Sequence, residues 1–173
     1  MNDEEKDKAK RGLQASVEGF AHEHIAAGIL MKKYQNVSLV DLPLSTYDII
    51  IVFKEAGKES IIRAQVKTAT KGLSFTGGTR GGVDRTYKSD VKKYIQSTLT
   101  SDVVIGISPK KGKGVNEFDL YFIPSVLIES LKQSSISLNK IQKFKNNYEI
   151  LERCKERGFV LEKAKEFGLM ESR

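Results

Sequence analysis

Hydrophobic residues recur along this chain with two different periods, which predict where helices and strands lie. Spacing of three and four over residues 13–34 predicts a first helix, on whose apolar side lie Val17, Phe20, Ala21, Ile25, Ile29 and Leu30. Short apolar runs rich in β-branched residues predict strands at 36–40, 47–53, 61–67, 102–108 and 118–123. Helical spacing returns at 125–131, where Pro124 suits the first helical position, and at 89–99, with one side formed by Val91, Tyr94, Ile95 and Leu99.

Turn-forming residues separate these elements and complete the predicted topology. Gly57 allows a reversal between the second and third strands, because glycine readily adopts positive φ. Residues 68–87, rich in Gly, Thr and basic residues, predict a loop, and residues 110–114 predict an exposed basic turn. The order α-β-β-β-α-β-β followed by C-terminal helices predicts an α/β (α+β) fold, with a mixed sheet flanked by helices.

The length and the charge distribution of the chain predict one domain with short extensions. Residues 1–12 carry mixed charge and predict a flexible N-terminal arm, and residues 13–131 contain the core of the 173-residue chain. Residues 132–173 predict a helical C-terminal appendage. Its apolar residues either pack on the same core or form a homodimer contact, and they are Ile141, Phe144, Tyr148, Leu151, Phe159, Val160 and Leu161.

Composition narrows the cellular setting and the kind of partner. Hydrophobic content of 39% and charged content of 29% are typical of a globular protein, and no apolar run is long enough to span a membrane. The single cysteine, Cys154, cannot form an intramolecular disulfide, and the acidic N-terminus is unlike a signal peptide, so we expect a cytoplasmic protein. A net charge of +7 favours a polyanionic partner such as nucleic acid.

Polar residues in two of the predicted strands indicate a metal and phosphate site. Gln65 and Lys67 share one face of their strand because side chains alternate, and hairpin pairing can bring Asp48 beside them. Oxygen ligands favour Mg²⁺, for which Mn²⁺ can substitute, and a lysine supplies positive charge for a phosphate. Each residue also has a structural interpretation: Asp48 can cap a turn, Gln65 can face water on an edge strand, and Lys67 can end a solvated strand.

In order and spacing these residues resemble the signature of the PD-(D/E)XK nuclease superfamily, whose members share the restriction-endonuclease-like fold. Asp48 matches the Asp of the signature and Lys67 its Lys, while Gln65 stands where most members have an acid. A Gln-x-Lys variant occurs in some members, and Tyr47 replaces a proline at a loosely defined position. The resemblance covers residues 15 to 125.

The predicted first helix adds an acid to this pattern. Glu23 matches the helix Glu of the family within Gly-x-x-x-Glu-x-x-Ala, which begins at Gly19. Glu18 competes for the role, but five residues of helix set the two side chains about 140° apart, so both cannot face one metal well. His22 and His24 lie on opposite sides of Glu23 and are not expected to be ligands.

The resemblance implies a metal-dependent endonuclease for double-stranded DNA, similar to small type II restriction enzymes and working as a homodimer. The catalytic residues that it implies are Asp48, Gln65, Lys67 and Glu23. The ligands that it implies for Mg²⁺ are Asp48, Gln65, Glu23 and the backbone carbonyl of Val66. A homing, junction or repair nuclease is an alternative, as is an RNA-processing nuclease. A non-catalytic DNA-binding module of the same fold, altered at Gln65, is an alternative from another class.

The basic segment that follows Lys67 predicts the contact with DNA. Glycines let the backbone approach phosphates, arginines can read a guanine edge, and Ser or Thr can bond phosphates or bases. The alternative is a flexible, solvated loop. The residues predicted to contact DNA are Lys71, Ser74, Thr76, Thr79, Arg80, Arg85, Tyr87, Lys88, Lys92 and Lys93.

Overall fold

A five-stranded mixed sheet forms the centre of the computed structural model, which describes residues 3–42, 45–55, 57–80, 91–110 and 117–171. In spatial order the strands are β1 (Asn36–Leu39), β2 (Ile49–Glu55), β3 (Lys58–Thr68), β7 (Val103–Pro109) and β8 (Phe118–Pro124). Strands β3 and β7 run parallel, and the other neighbouring pairs are antiparallel. The predicted α+β class, with a mixed sheet and flanking helices, is confirmed.

The continuous apolar run of β7 follows from its position inside the sheet. Residues 103–107 are all buried, so both faces of this strand are covered. At the start of β7, the Asp102 carboxylate accepts hydrogen bonds from the backbone N–H of Arg63 and from its guanidinium Nη2, both at 2.8 Å. Because no tight turn can join two parallel strands, this ion pair helps to set the register between β3 and β7.

The first helix is longer than the sequence pattern predicts. Helix α1 (Asp3–Met31) begins at Asp3, so residues 3–12 are helical where the charge pattern predicts a flexible arm. It contacts β1 and β3 through its C-terminal half, which buries Ala26, Ala27 and Leu30. Residues 10–18 are exposed, and Val17 and Phe20, on the predicted apolar side, are 57% and 64% exposed. The 29 residues of α1 span about 43 Å, and only part of that length meets the sheet.

Two small antiparallel sheets replace a predicted loop and a predicted helix. Strands β4 (Gly72–Ser74) and β5 (Thr76–Arg80) lie within the segment predicted as a loop. Strand β6 (Val91–Ile95) lies where residues 89–99 predict a helix, and it pairs with β5. Pairing with β5, in which Thr76 is opposite Ile95, outweighs the helical spacing there. Leu99, on the predicted apolar side, is 88% exposed. Strand β4 pairs with β9 (Ser135–Ser137).

The C-terminal segment packs against the sheet and not away from it. It comprises α2 (Ser125–Leu131), a 3-10 helix (Leu138–Phe144), α3 (Tyr148–Glu152) and α4 (Arg157–Glu166). Its apolar residues join the central hydrophobic core, where Ile141, Phe144, Leu151 and Val160 are buried. Of the two roles that the sequence leaves open for these residues, packing on the core is the one observed. Over the described ranges, no helix combines the length and the apolar character needed to cross a bilayer.

Cys154 lies within this C-terminal packing and is fully buried. Burial raises the pKa of its thiol to about 12. At neutral pH the side chain is therefore a protonated thiol, which is a poor nucleophile and is shielded from reagents in solution.

Candidate active site

The hairpin of β2 and β3 brings Asp48 to the end of β3. Gly57 turns the hairpin with a φ of +80°, as predicted, and Ile49 pairs with Ala64. The N–H of Asp48 donates to the carbonyl of Ala64 at 2.9 Å, so Asp48 continues the ladder by one residue and lies beside Gln65. The carbonyl of Asp48 accepts a hydrogen bond from Val40 N–H at 2.8 Å. The backbone of Asp48 is therefore held from both sides.

The carboxylate of Asp48 and the carbonyl of Val66 converge on the side-chain amide of Gln65. Asp48 Oδ2 accepts hydrogen bonds from the N–H of Val66 at 2.7 Å and from Nε2 of Gln65. The same Nε2 donates to the carbonyl oxygen of Val66 at 3.3 Å. Gln65 is only 8% exposed, whereas Asp48 is partly exposed. The NH₂ group of Gln65 thus marks a point on which two oxygen ligands are directed.

Two carboxyl groups and one lysine share this electrostatic environment. Burial raises the pKa of Asp48, and this is opposed by the Val66 N–H, by the charge of Lys67 and by the Gln65 amide. Burial also raises the pKa of Glu23, to about 7, and the charge of Asp48 raises it further against the lowering effects of His24 and Lys67. The two carboxyl groups therefore feel each other's charge, and adding a cation would stabilise both ionised forms.

The structure distinguishes the two candidate acids on α1. Glu23 is half-buried, and the charges of Asp48 and Lys67 both act on its pKa, whereas Glu18 is exposed. The neighbouring histidines have local partners. His22 Nδ1 lies 2.8 Å from the hydroxyl of Thr68, and His24 Nδ1 lies 2.9 Å from the carbonyl of Phe20 in the preceding turn.

The donor atoms at this point suit a hard divalent cation. They are the carboxylate of Asp48, the carbonyl of Val66 and, after rotation of the amide, Oε1 of Gln65. The carboxyl of Glu23 is close enough for the charge of Asp48 to raise its pKa. Such oxygen ligands are those that Mg²⁺ and Mn²⁺ favour. In the described part of the chain, no three side chains of His, Cys, Asp or Glu are grouped for metal binding. A cation here would therefore depend on the amide and the backbone carbonyl as well as on the acids.

Sequence reasoning missed two residues that border the site, Tyr94 and Gln96. Nε2 of Gln96 donates to Oε1 of Gln65 at 3.4 Å, and Gln96 is 1% exposed. Burial raises the pKa of the Tyr94 phenol, a hydrogen bond with Gln96 lowers it, and the charge of Asp48 raises it. A Cβ at Gly77, which pairs with Tyr94, would lie 2.3 Å from the Tyr94 ring, so glycine makes room for that ring. The sequence did carry one indication of a strand here: polar and aromatic residues alternate at positions 92, 94 and 96.

The predicted DNA contacts fall on β4, β5 and β6 and the segments around them. Lys71, Ser74, Thr76 and Lys93 are exposed, and the hydroxyls of Ser74 and Thr76 are hydrogen-bonded at 2.8 Å. Three others belong to strands β5 and β6, namely Thr79, Arg80 and Lys92. The remaining three lie outside the described residues, namely Arg85, Tyr87 and Lys88.

Glu23→Gln should remove a loss of stability that the wild-type protein shows as the pH rises. Folding raises the pKa of Glu23 from its ordinary value of 4.5 to about 7, so the native state binds the proton more tightly than the unfolded state does. The contribution of Glu23 to stability is therefore fully present below pH 4.5 and is lost as the pH rises through about 7. Because Glu23 is partly exposed, we expect about 1 kcal/mol from this residue after solvent screening.

Urea unfolding at pH 5 and pH 8, without divalent ions, measures this difference. Glu18→Gln is the matched control, because Glu18 is exposed on the same helix. An unchanged pH slope in Glu23→Gln would show that Glu23 does not hold a raised pKa.

Comparison with known proteins finds one similar solved structure and no matching family. No protein-family model matches the chain, and no curated protein matches it. Among solved structures, the chain is similar to a bacterial homing endonuclease, with 13% sequence identity and a TM-score of 0.49, over 70% of this chain and 76% of that chain. A likeness of this extent decides neither family nor activity, and both must be supported by the site itself.

Proposed function

We propose that this protein is a Mg²⁺-dependent endonuclease that hydrolyses phosphodiester bonds of double-stranded DNA. The observation that carries the proposal is the convergence of Asp48 Oδ2 and the Val66 carbonyl on one point, beside Glu23 and Lys67. These are the residues through which the sequence resembles the PD-(D/E)XK nucleases. Restriction is the role we propose, and homing, junction resolution and repair use the same chemistry.

The chain's own residues have separate roles in this proposal. A divalent cation, when bound, would polarise the phosphate and make a water more acidic. Asp48, Glu23, the Val66 carbonyl and Gln65, after rotation of its amide, would hold the cation, and the Lys67 ammonium would place positive charge beside the phosphate. Since the carboxyl of Glu23 must be ionised to bind a cation, and its pKa is about 7, cation affinity should rise as the pH passes through neutrality.

The ribbon of β5 and β6 supports DNA as the substrate. It leaves the domain at Phe75, which is buried, and returns at Gln96, whose N–H donates to the Phe75 carbonyl at 2.8 Å. Its base is therefore beside Gln65. A two-stranded ribbon fits the major groove of DNA, and the net charge of +7 favours a polyanion. A symmetric site is commonly cut on both strands by a two-fold dimer, so the proposal includes a homodimer.

Lys93→Ala should weaken binding to all DNA sequences alike. Lys93 is exposed on β6, and a lysine that meets only phosphate contributes about one unit to the slope of log affinity against log salt. Binding titrations in Ca²⁺ at several salt concentrations, with cognate and scrambled duplexes, measure that slope. Lys165→Ala, at an exposed position on α4, should leave the slope unchanged. A loss confined to one sequence would instead assign base reading to Lys93.

One observation favours a second candidate, a DNA-binding module without catalysis. The Gln65 amide already donates to Asp48 Oδ2 and to the Val66 carbonyl, so the oxygen atoms are satisfied without a cation. Such a module would hold DNA equally well with and without Mg²⁺ and would cut nothing.

Incubation of supercoiled plasmid and phage DNA with Mg²⁺, Mn²⁺, Ca²⁺ or EDTA separates the two candidates. Nicked or linear products that need Mg²⁺ or Mn²⁺ support the endonuclease, and discrete bands support sequence-specific cutting. Unchanged DNA under all four conditions, with binding equal in Mg²⁺ and EDTA, would overturn the proposal in favour of the module. Gln65→Glu adds a carboxylate at the same place and should retain cation binding.

A further inference from the structure

The buried polar side chains of the described residues form one connected network that ends at Asp48. In that part of the chain the buried polar side chains are Gln65, Gln96, Ser101 and Ser125. Gln96 Oε1 accepts a hydrogen bond from the Ser101 hydroxyl at 3.0 Å, and the Ser101 and Ser125 hydroxyls lie 3.4 Å apart. Burying a polar group costs free energy unless it is hydrogen-bonded, and in this network each group has a partner.

The present orientation of the Gln65 amide is wrong for binding a cation. Its NH₂ group is directed at Asp48 Oδ2 and the Val66 carbonyl, and its Oε1 accepts from Gln96. A cation at this point requires an oxygen from Gln65, which a half-turn of the amide about its last side-chain torsion would supply. That half-turn would direct the NH₂ of Gln65 at the NH₂ of Gln96, and two donors cannot satisfy each other.

The neighbourhood of Gln96 permits the compensating half-turn. After it, Oε1 of Gln96 would accept from Gln65, and the NH₂ of Gln96 would face the hydroxyls of Thr100 and Ser101, now 2.6 and 3.0 Å from Oε1. Thr100 has a second acceptor for its proton, the carbonyl of Ser97 at 2.9 Å, and Ser101 has the hydroxyl of Ser125. Both hydroxyls can therefore change from donor to acceptor, and so can the Tyr94 phenol, which also bonds to Gln96. Each of these groups keeps a partner in either arrangement.

We propose that Gln96 is a positioning residue, which sets the orientation of the Gln65 amide and turns with it when a divalent cation binds. This inference rests on the proposed function, because it needs a cation at Asp48 and Val66. Gln96 itself does not touch the cation. In the cation-free arrangement Gln96 keeps the NH₂ of Gln65 directed at the two oxygen ligands. In the cation-bound arrangement Oε1 of Gln96 accepts a hydrogen bond from that NH₂, which leaves Oε1 of Gln65 free to bind the cation.

Gln96→Met tests the role, because methionine keeps the length of the side chain and loses both amide groups. Removing a partner that orients a ligand typically weakens metal affinity about 10- to 100-fold. We expect a loss of about tenfold in Mn²⁺ affinity, measured by calorimetry without DNA. Without Gln96 the NH₂ of Gln65 keeps its two acceptors, Asp48 and Val66, in the cation-free arrangement, whereas in the cation-bound arrangement it would be buried without one. In a Gln65→Glu background the same change should cost less than about threefold, because a carboxylate presents an oxygen in either orientation.

Matched controls separate positioning from general stability. Tyr34→Phe removes a hydrogen bond to Glu152 at 2.8 Å elsewhere in the fold, and it should lower the melting temperature without changing Mn²⁺ affinity. Thr100→Val removes the hydroxyl that receives the Gln96 NH₂ and should weaken Mn²⁺ binding even if Gln96→Met does not fold. In NMR spectra of the wild-type protein, Mg²⁺ should shift the side-chain NH₂ resonances of both Gln65 and Gln96.

The outcomes distinguish this inference from the proposed function. If the wild-type protein binds no Mn²⁺, the cation site is wrong and the inference falls with it. If the wild-type protein binds Mn²⁺ and Gln96→Met binds it equally well, the cation site stands and the positioning role is overturned. An equal loss in the wild-type and Gln65→Glu backgrounds would also overturn it, because the effect would then not pass through the orientation of the Gln65 amide.

Discussion

Asp48→Asn should reduce cleavage of DNA by about a thousandfold. Losses of this size are typical when an enzyme loses one group that stabilises the charge of the transition state. The replacement keeps an oxygen that can accept the Val66 N–H, but the cation loses a negative ligand. The same change should stabilise the cation-free protein, because burial raises the pKa of Asp48 and makes its ionised form unfavourable in the fold. Loss of activity together with a gain in stability is typical of a residue retained for function.

Plasmid cleavage in Mg²⁺ and thermal unfolding in EDTA at pH 8 measure the two effects of Asp48→Asn. Asp41→Asn, at an exposed position seven residues earlier, should change neither. Cleavage at the wild-type rate would remove Asp48 from the site. A melting temperature below that of the wild-type protein would show that the carboxylate serves the fold.

Lys67→Met should reduce cleavage by about a hundredfold or more while leaving the protein folded. Methionine keeps most of the apolar length of the side chain, and the positive charge beside the phosphate is lost. The charge of Lys67 also lowers the pKa of Glu23 and of Asp48, so removing it should move cation binding to higher pH. The mutant should therefore recover part of its cation affinity as the pH is raised.

Cleavage rates and Mn²⁺ affinity between pH 6 and pH 9 measure these effects of Lys67→Met. Lys58→Met, at the exposed tip of the same hairpin, is the matched control and should resemble the wild-type protein. If Lys67→Met cleaves normally and binds Mn²⁺ with an unchanged pH profile, then the lysine has no part in the site.

Local patterns predicted the centre of the site, because it is built from a hairpin. Alternation within β3 places Gln65 and Lys67 on one face, and the turn at Gly57 sets the register that places Asp48 beside Gln65. Pairing between two strands that are close in the sequence depends on few contacts with distant parts of the chain. Alternation therefore placed Gln65 and Lys67 on one face, and the register of the hairpin placed Asp48 beside Gln65.

The surroundings of the site depend on contacts between distant segments, which local patterns do not contain. Residues 89–99 have helical spacing, yet β6 forms because residues 76–80 lie beside it as a partner. The error concealed Gln96, which as a helical residue had no reason to approach Gln65. Likewise β4 pairs with β9, and neither strand is long enough to be recognised without the other.

The burial of Cys154 makes the protein a convenient object for single-site labelling. It is the chain's one cysteine, and it is sealed inside the C-terminal packing. A thiol introduced on the ribbon, for example by Lys93→Cys, would be the single reactive sulfur of the native protein. A dye or spin label placed there reports the distance between the ribbon and a labelled duplex without any need to replace the native cysteine.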